Sequence, residues 1–172
     1  MKLYIDMIAF YLQKAGGITN VWKEIIIRML QDRQSVILIL QEEECENIYF
    51  EQLMTLKPDL VFEKGTVKRN RYRNVSVSME DGSNFVSTYY RVVLNKKIKQ
   101  ITLVHDFTYE YYVKGLRKWV HSWQKRRSVK FAGTIICVSN NTMSDLLGFY
   151  PWAQNKNRYV IYNGVSDAYH YI

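Results

Sequence analysis

The sequence predicts an α/β fold in which a parallel sheet carries helices on both faces. Continuous apolar runs of strand length, such as SVILIL at 35–40 and TIICV at 134–138, suit strands that are buried on both faces. Between such runs, apolar residues recur at the spacing of an amphipathic helix. Strands that alternate with helices pair in parallel through right-handed crossovers, so the pattern indicates one Rossmann-like layer.

The strand signals are spread along the whole chain. Turn residues or polar stretches separate them, and the third strand is the shortest. The predicted strands cover residues 2–8, 35–40, 60–62, 85–88, 100–104, 134–138 and 159–162.

The first helix follows the turn AGGITN, with Thr19 or Asn20 as its cap and an apolar stripe that begins at Trp22. A short helix over 48–54 ends before Pro58. The segment 63–83 is basic and polar, with turn chemistry at 80–83, and it is expected to be irregular.

Two further helices are predicted in the second half. The basic run 114–130 is expected to dock on the sheet through an apolar stripe. Ser139 caps the last helix, which Gly148 and Pro151 end. The stripe of the basic helix consists of Leu116, Trp119, Val120 and Trp123.

Composition narrows the class of protein. The two cysteines lie far apart, which fits neither a disulfide framework nor a metal site and favours a reducing cytoplasm. No apolar run approaches the roughly 18 residues of a membrane span, and no leader peptide is recognisable.

The net charge of +8 is concentrated in 64–73 and 114–130, and an acidic stretch lies at 42–63. This asymmetry attracts anions, although a solvated helix face and a mobile basic loop would also explain it.

Several motifs, in order, resemble the N-terminal domain of retaining GT-B glycosyltransferases of family four. These motifs are AGGITN, LVHDF after a central strand, AGTIICVSNNTMSDLLGFYP and RYVIYNGVSDAY; STYYR also looks like members that make polysaccharides. The resemblance is weakest over 42–83. It implies an acceptor-binding domain over 1–165 and the start of an interdomain linker at 166–172. It also implies that the nucleotide-sugar domain is absent, so the chain alone is expected to be inactive.

The resemblance also implies site residues. His105 and Asp106 follow a strand, where ligands of α/β sheets gather, and they are the candidate catalytic pair. The expected contacts to donor or acceptor are Gly16, Gly17, Ser87, Tyr89, Arg91, Tyr109 and Ser139. Asn163 and Gly164 resemble the hinge. A nucleotide-sugar donor and a glycan or lipid-linked acceptor are the implied substrates, with no cofactor and no metal.

Each of these residues also has a structural explanation. The glycines suit a tight turn with positive φ, a lone histidine is often a satisfied core residue, and Ser139 suits a helix cap. Two other functions stay open: a non-catalytic Rossmann-like binding module, and a basic nucleic-acid-binding domain, which the helical periodicity of 114–130 disfavours. The expected location is cytoplasmic, with peripheral contact to an anionic membrane surface.

Overall fold

The computed structural model describes residues 1–164, in which seven parallel strands form one sheet with the order β3-β2-β1-β4-β5-β6-β7. The predicted α/β class is therefore confirmed. The strands are β1 Leu3–Asp6, β2 Val36–Gln41, β3 Asp59–Glu63, β4 Asn84–Ser87, β5 Lys99–Val104, β6 Thr134–Cys137 and β7 Asn157–Val160.

Seven α-helices lie between the strands of this described part, and a 3-10 helix, Pro151–Asn155, precedes β7. The α-helices are α1 Ile8–Leu12, α2 Gly17–Gln31, α3 Phe50–Thr55, α4 Val67–Asn70, α5 Thr108–Tyr112, α6 Leu116–Phe131 and α7 Asn140–Phe149.

The two faces of the sheet pack against different helices. Ile5 and Leu38 pack with Trp22 and Ile26 of α2 in one cluster. On β5, Val104 belongs to a different cluster, which includes Val129 of α6. Because neighbouring residues of a strand point to opposite faces, α2 and α6 cover opposite sides of the layer.

Strand order reverses at β1, which pairs with β2 on one side and β4 on the other. In open parallel sheets the crevice at such a reversal, beyond the carboxyl ends of the strands, is the usual ligand site. Here the ends of these two strands are Asp6 and Ser87, which are directly paired in register.

The first strand is shorter than predicted. The sequence suggested a strand over 2–8, but Ile8 begins α1, and Ile8 and Phe10 are buried in it. The glycine pair therefore follows a helix and not a strand, and α2 begins at Gly17, before the predicted caps. Gly16 has a φ of 175°, so a turn with positive φ does not explain it.

The predicted docking stripe of α6 is wrong. Leu116, Trp119 and Trp123 are 78%, 73% and 46% exposed, respectively. The buried face consists instead of Gln124, Lys125, Ser128 and Val129. The reason is that Lys125 forms a buried ion pair with Glu110 of α5 and Ser128 is hydrogen-bonded to Thr102 of β5, so the polar side of this helix faces the interior.

The structure also differs from three smaller predictions. The segment expected to be irregular contains α4, α7 continues through Gly148 to Phe149, and β7 lies two residues before its predicted position. Pro151 begins the 3-10 helix that follows α7. The predicted linker at 166–172 lies outside the described residues. Within the described part, none of the helices combines the length and apolar character that a membrane span requires.

Candidate functional site

A buried polar network lies at the carboxyl ends of β1 and β4. Ser87 Oγ donates to Asp6 Oδ2 at 2.7 Å. Arg91 Nη1 donates to Asp6 Oδ1 at 3.0 Å, and its Nη2 donates to the two carboxylate oxygens of Glu63 at 2.9 and 2.7 Å. All four side chains are buried. The network thus ties the carboxyl ends of β1, β3 and β4 together.

Two predicted binding residues belong to this network. The remaining Arg91 contacts are to the carbonyl oxygens of Arg73 and Asn74, so each of its three guanidinium nitrogens donates to the protein. Ser87 Oγ also accepts a hydrogen bond from the Tyr89 amide at 3.1 Å. Both side chains therefore hold together the strand ends around the crevice, and their contact with a ligand stays a prediction.

Lys125 of α6 holds the His105-Asp106 turn in place through a hydrogen bond to its backbone. The Lys125 ammonium is buried; it donates to the Asp106 carbonyl and to Glu110 Oε2, each at 2.7 Å, and lies 4.3 Å from the centroid of the Phe107 ring. Burial lowers the pKa of Lys125, and its contact with Glu110 opposes that shift. The ion pair therefore fastens α5 and the end of β5 to α6.

His105 itself lies directly beyond β5, where it was predicted. Its Nε2 is buried and has no hydrogen-bond partner among the described residues. Burial lowers the pKa of His105, an effect that nearby Asp106 opposes. A neutral imidazole with a spare nitrogen is suited to a hydrogen bond with a ligand hydroxyl. Asp106 is exposed, and its Oδ1 accepts a hydrogen bond from the Thr108 amide at 2.9 Å.

On one side of α5 lies a cavity of about 430 Å³ that we call the aromatic cavity. Tyr89 and Tyr109, both predicted, line it together with Arg71, Arg117 and His121. Arg71 Nη2 donates to Tyr89 Oη at 3.2 Å. Flat rings beside cationic groups suit a ligand with an apolar sugar face and polar or anionic substituents.

His121 is the histidine that lines the aromatic cavity. Its ring stacks on Tyr109 with centroids 3.9 Å apart, and its Nδ1 is buried without a partner among the described residues. Burial, aided by the charge of Lys125, lowers the pKa of His121 to about 4. The ring is therefore neutral near pH 7 and offers a hydrogen bond without a charge.

On the other side of α5 lies a cavity of about 320 Å³ that we call the polar cavity. Asp106 lines it with Asn141, Thr142 and Asp145 of α7. Ser139 caps α7, because its Oγ accepts a hydrogen bond from the Thr142 amide at 3.1 Å. Thr142 Oγ1 in turn donates to the His105 carbonyl at 3.2 Å, so the cap and the histidine turn are directly coupled.

The glycine pair forms the N-terminus of α2. No side chain caps this end, and the first turn carries no acidic residue. A Cβ built on Gly17 meets no atom within 4 Å, so open space lies over the helix end. Unpaired amides at a helix N-terminus favour an anion. Neither glycine lines the aromatic or the polar cavity.

The fold thus brings some of the predicted residues together and separates others. Tyr89 and Tyr109 share one cavity, and Asp106 lies in the next, beside the cap formed by Ser139. Asn163 and Gly164 are exposed after β7. The substrate contacts expected of all these residues stay predictions.

Sequence reasoning missed several lining residues. Arg71 and Arg117 lie in the two basic runs, which were noted for charge and not for position. His121 sits between apolar residues that were assigned to a docking stripe, and this wrong assignment hid its place in the cavity. Asn141 and Asp145 are one helical turn apart on α7, close to its cap Ser139. Their closeness to that predicted site residue was the signal in the sequence that could have identified them. In the described part of the chain, no three His, Cys, Asp or Glu side chains are grouped to hold a metal ion.

Comparison with known proteins adds one finding. The family model described as Glycosyltransferase Family 4 matches residues 81–169, which is slightly more than half of the chain. The matched region includes β4 to β7 and most residues of both cavities. A search among curated proteins finds no match to the chain.

Proposed function

The chain belongs to glycosyltransferase family 4, and from this premise we propose that it is the acceptor-binding half of a retaining sugar transferase. The donor is a nucleotide sugar, and the acceptor is a glycan or a lipid-linked saccharide of the kind used for polysaccharide or lipopolysaccharide synthesis. The observation that carries the proposal is the pair of cavities on either side of α5, at the strand ends within the matched region.

In the proposed reaction an acceptor hydroxyl attacks the anomeric carbon on the face from which the nucleoside diphosphate departs. A carbon–oxygen bond to the acceptor forms, the bond to the diphosphate breaks, and the hydroxyl proton leaves with the diphosphate. His105 offers its buried, unpartnered Nε2 to a sugar hydroxyl beside this carbon. Asp106 orients the sugar, and the N-terminus of α2, with open space over Gly17, faces the diphosphate.

The carbohydrate contacts follow from the lining residues. Tyr89 and Tyr109 provide ring faces for a sugar, and Asp106, Asn141 and Asp145 provide acceptors and donors for its hydroxyl groups. Asn163 and Gly164 are proposed to connect this half to a nucleotide-binding domain, and no metal or cofactor takes part.

The exposed side of α6 supports contact with an anionic membrane surface. Leu116, Trp119 and Trp123 are solvent-exposed on a helix whose run 114–130 holds seven basic and no acidic residues. Tryptophan beside lysine and arginine is the composition of interfacial helices. We therefore propose that this side rests on anionic lipid, which brings a lipid-linked acceptor to the cavities.

The membrane proposal is tested by sedimentation with vesicles that contain phosphatidylglycerol. Trp119→Gln is expected to lower binding about fivefold, whereas Trp152→Gln, a matched change outside α6, leaves it within about twofold. Equal binding to vesicles of neutral lipid would contradict the proposal.

The transferase proposal is tested by joining the chain to a nucleotide-sugar domain encoded downstream in the same reading frame. The joined protein is expected to transfer sugar, and His105→Ala is expected to lower kcat/KM by about 100-fold or more at an equal amount of folded protein. A stop codon at this point in the gene would favour the binding module. Unchanged kinetics would make His105 a structural residue.

A further inference from the structure

A third cavity lies against the aromatic cavity, and its lining is strongly basic. It has a volume of about 500 Å³ and lies between α4, the segment after it and α6. Four cationic side chains, Lys64, Arg69, Arg73 and Arg127, line it together with Asn74 and Ser76. We call this cavity the cationic pocket.

In the described part of the chain, none of these four cations forms an ion pair. Among residues 1–164, none of them has a carboxylate oxygen within 4.0 Å. The Glu63 carboxylate accepts a hydrogen bond from the amide of the lining residue Ser76 at 2.9 Å, but its ion pair is with Arg91. Like charges that converge on one cavity repel each other, and an anion relieves that repulsion.

The backbone of the pocket wall is tied to the rest of the fold by hydrogen bonds. The carbonyls of Arg73 and Asn74 accept hydrogen bonds from the buried Arg91 guanidinium. The Val75 amide donates to the Val92 carbonyl at 2.9 Å, and Gln124 Nε2 donates to the Arg71 carbonyl at 2.8 Å. A preorganised wall lowers the cost of ordering the basic side chains around a ligand.

The pocket adjoins the aromatic cavity through one residue. Tyr72 lines both, and the Arg71 guanidinium lies 5.3 Å from the Tyr72 ring centroid and 5.2 Å from that of Tyr89. A ligand that spans both would place a sugar among the rings and an anionic group among the cations.

We propose that the cationic pocket binds the phosphate or diphosphate of an anionic acceptor whose saccharide lies in the aromatic cavity. The anion site follows from the pocket itself; its assignment to the acceptor rests on the proposed function. Arginine forks match phosphate oxygens in pairs, which distinguishes this site from a diffuse positive surface. The phosphate can belong to a soluble sugar phosphate or to a lipid headgroup, and both present the same chemistry.

The test measures binding of inorganic pyrophosphate to the 172-residue chain by calorimetry at constant ionic strength. Two double variants that lose the same charge are compared. The first combines Arg69→Gln with Arg127→Gln, and the second combines Lys68→Gln with Arg126→Gln. Lys68 and Arg126 neighbour the pocket residues in sequence but do not line the pocket. The first variant is expected to bind at least about tenfold more weakly than wild type, and the second within about twofold.

Equal losses in the two variants would overturn the proposal, because they would indicate general charge attraction. If the first double variant fails to fold, the single variant Arg69→Gln, which changes an exposed side chain, replaces it. Its affinity for pyrophosphate is expected to fall about threefold. Glucose 1-phosphate and vesicles with phosphatidylglycerol are then compared, and selective weakening of one by the first variant identifies the source of the phosphate. Tighter binding of a thymidine oligonucleotide than of pyrophosphate, weakened equally in both variants, would overturn the proposal in favour of nucleic acid.

The two proposals fail separately. Absence of sugar transfer in the joined protein, with the difference between the matched variants intact, would contradict the transferase and leave the anion site. Transfer that is insensitive to Arg69→Gln and Arg127→Gln, together with equal pyrophosphate losses, would contradict the anion site and leave the transferase.

Discussion

His121 and Tyr109 stack nearly face to face, with ring planes inclined by 17° and centroids 3.9 Å apart. One ring comes from α6 and the other from α5, so the contact closes the wall of the aromatic cavity between two helices. The same contact removes the imidazole from water, and this burial is the main reason for its lowered pKa.

The lowered pKa of His121 predicts a pH dependence of stability. The folded state holds the pKa at about 4, whereas the unfolded chain has the ordinary value near 6.5. Between these values the unfolded state binds more protons, so the free energy of unfolding falls as the pH falls. Relative to His121→Gln, wild type is expected to lose about 1 kcal/mol between about pH 7 and about pH 4.5, a value reduced for the partial exposure of the ring. Urea unfolding at both pH values measures it, and a difference independent of pH would contradict it.

The buried Arg91 network predicts a large loss of stability when the guanidinium is removed. Arg91→Met leaves the carboxylates of Asp6 and Glu63 buried without their partner, which is expected to cost about 3–5 kcal/mol. Lys97→Met is the control, because it breaks an exposed pair with Asp81 and is expected to cost less than about 1 kcal/mol. Urea unfolding compares the two, and similar losses would show that the network is not the cause.

The cap of α7 predicts a smaller effect. Ser139→Ala removes the acceptor of the Thr142 amide and is expected to lower the free energy of unfolding by about 1 kcal/mol. Ser144→Ala, within the same helix, is expected to change it by no more than about 0.5 kcal/mol, because that hydroxyl only donates to a helix carbonyl. Thermal unfolding of both variants is the measurement, and equal effects would argue against the cap.

The end of α2 predicts a stabilising substitution. Arg33 has a φ of 54°, and its amide and that of Gln34 donate to the carbonyls of Leu30 and Met29 in a Schellman arrangement. Arg33→Gly removes the left-handed strain and is expected to raise the free energy of unfolding by about 0.5–1 kcal/mol. Arg28→Gly, inside the same helix, is expected to lower it by about 1 kcal/mol. Destabilisation by both changes, in chemical denaturation, would contradict the role of Arg33.

The sequence by itself determined the α/β layer and the order of its seven strands along the chain. The runs that became β2 and β6 are apolar apart from Gln41 and Thr134, as strands covered by helices require, and their spacing left room for helices in between. The place of His105 at a strand end and the cap at Ser139 also followed from local pattern, because each depends on neighbours along the chain.

Only the tertiary structure decided which side of α6 is buried. The spacing of Leu116, Trp119 and Trp123 correctly predicted a helix, but a local pattern does not show which side of the helix makes the stronger contacts. The ion pair between Lys125 and Glu110 lies on the opposite side, and that side is buried. Likewise, Arg91 was expected at a ligand, but the approach of Asp6 and Glu63 from strands distant in sequence enclosed it. The convergence of Arg69 and Arg127 on one pocket is decided in the same way, since pairing across long sequence separations depends on packing and not on local pattern.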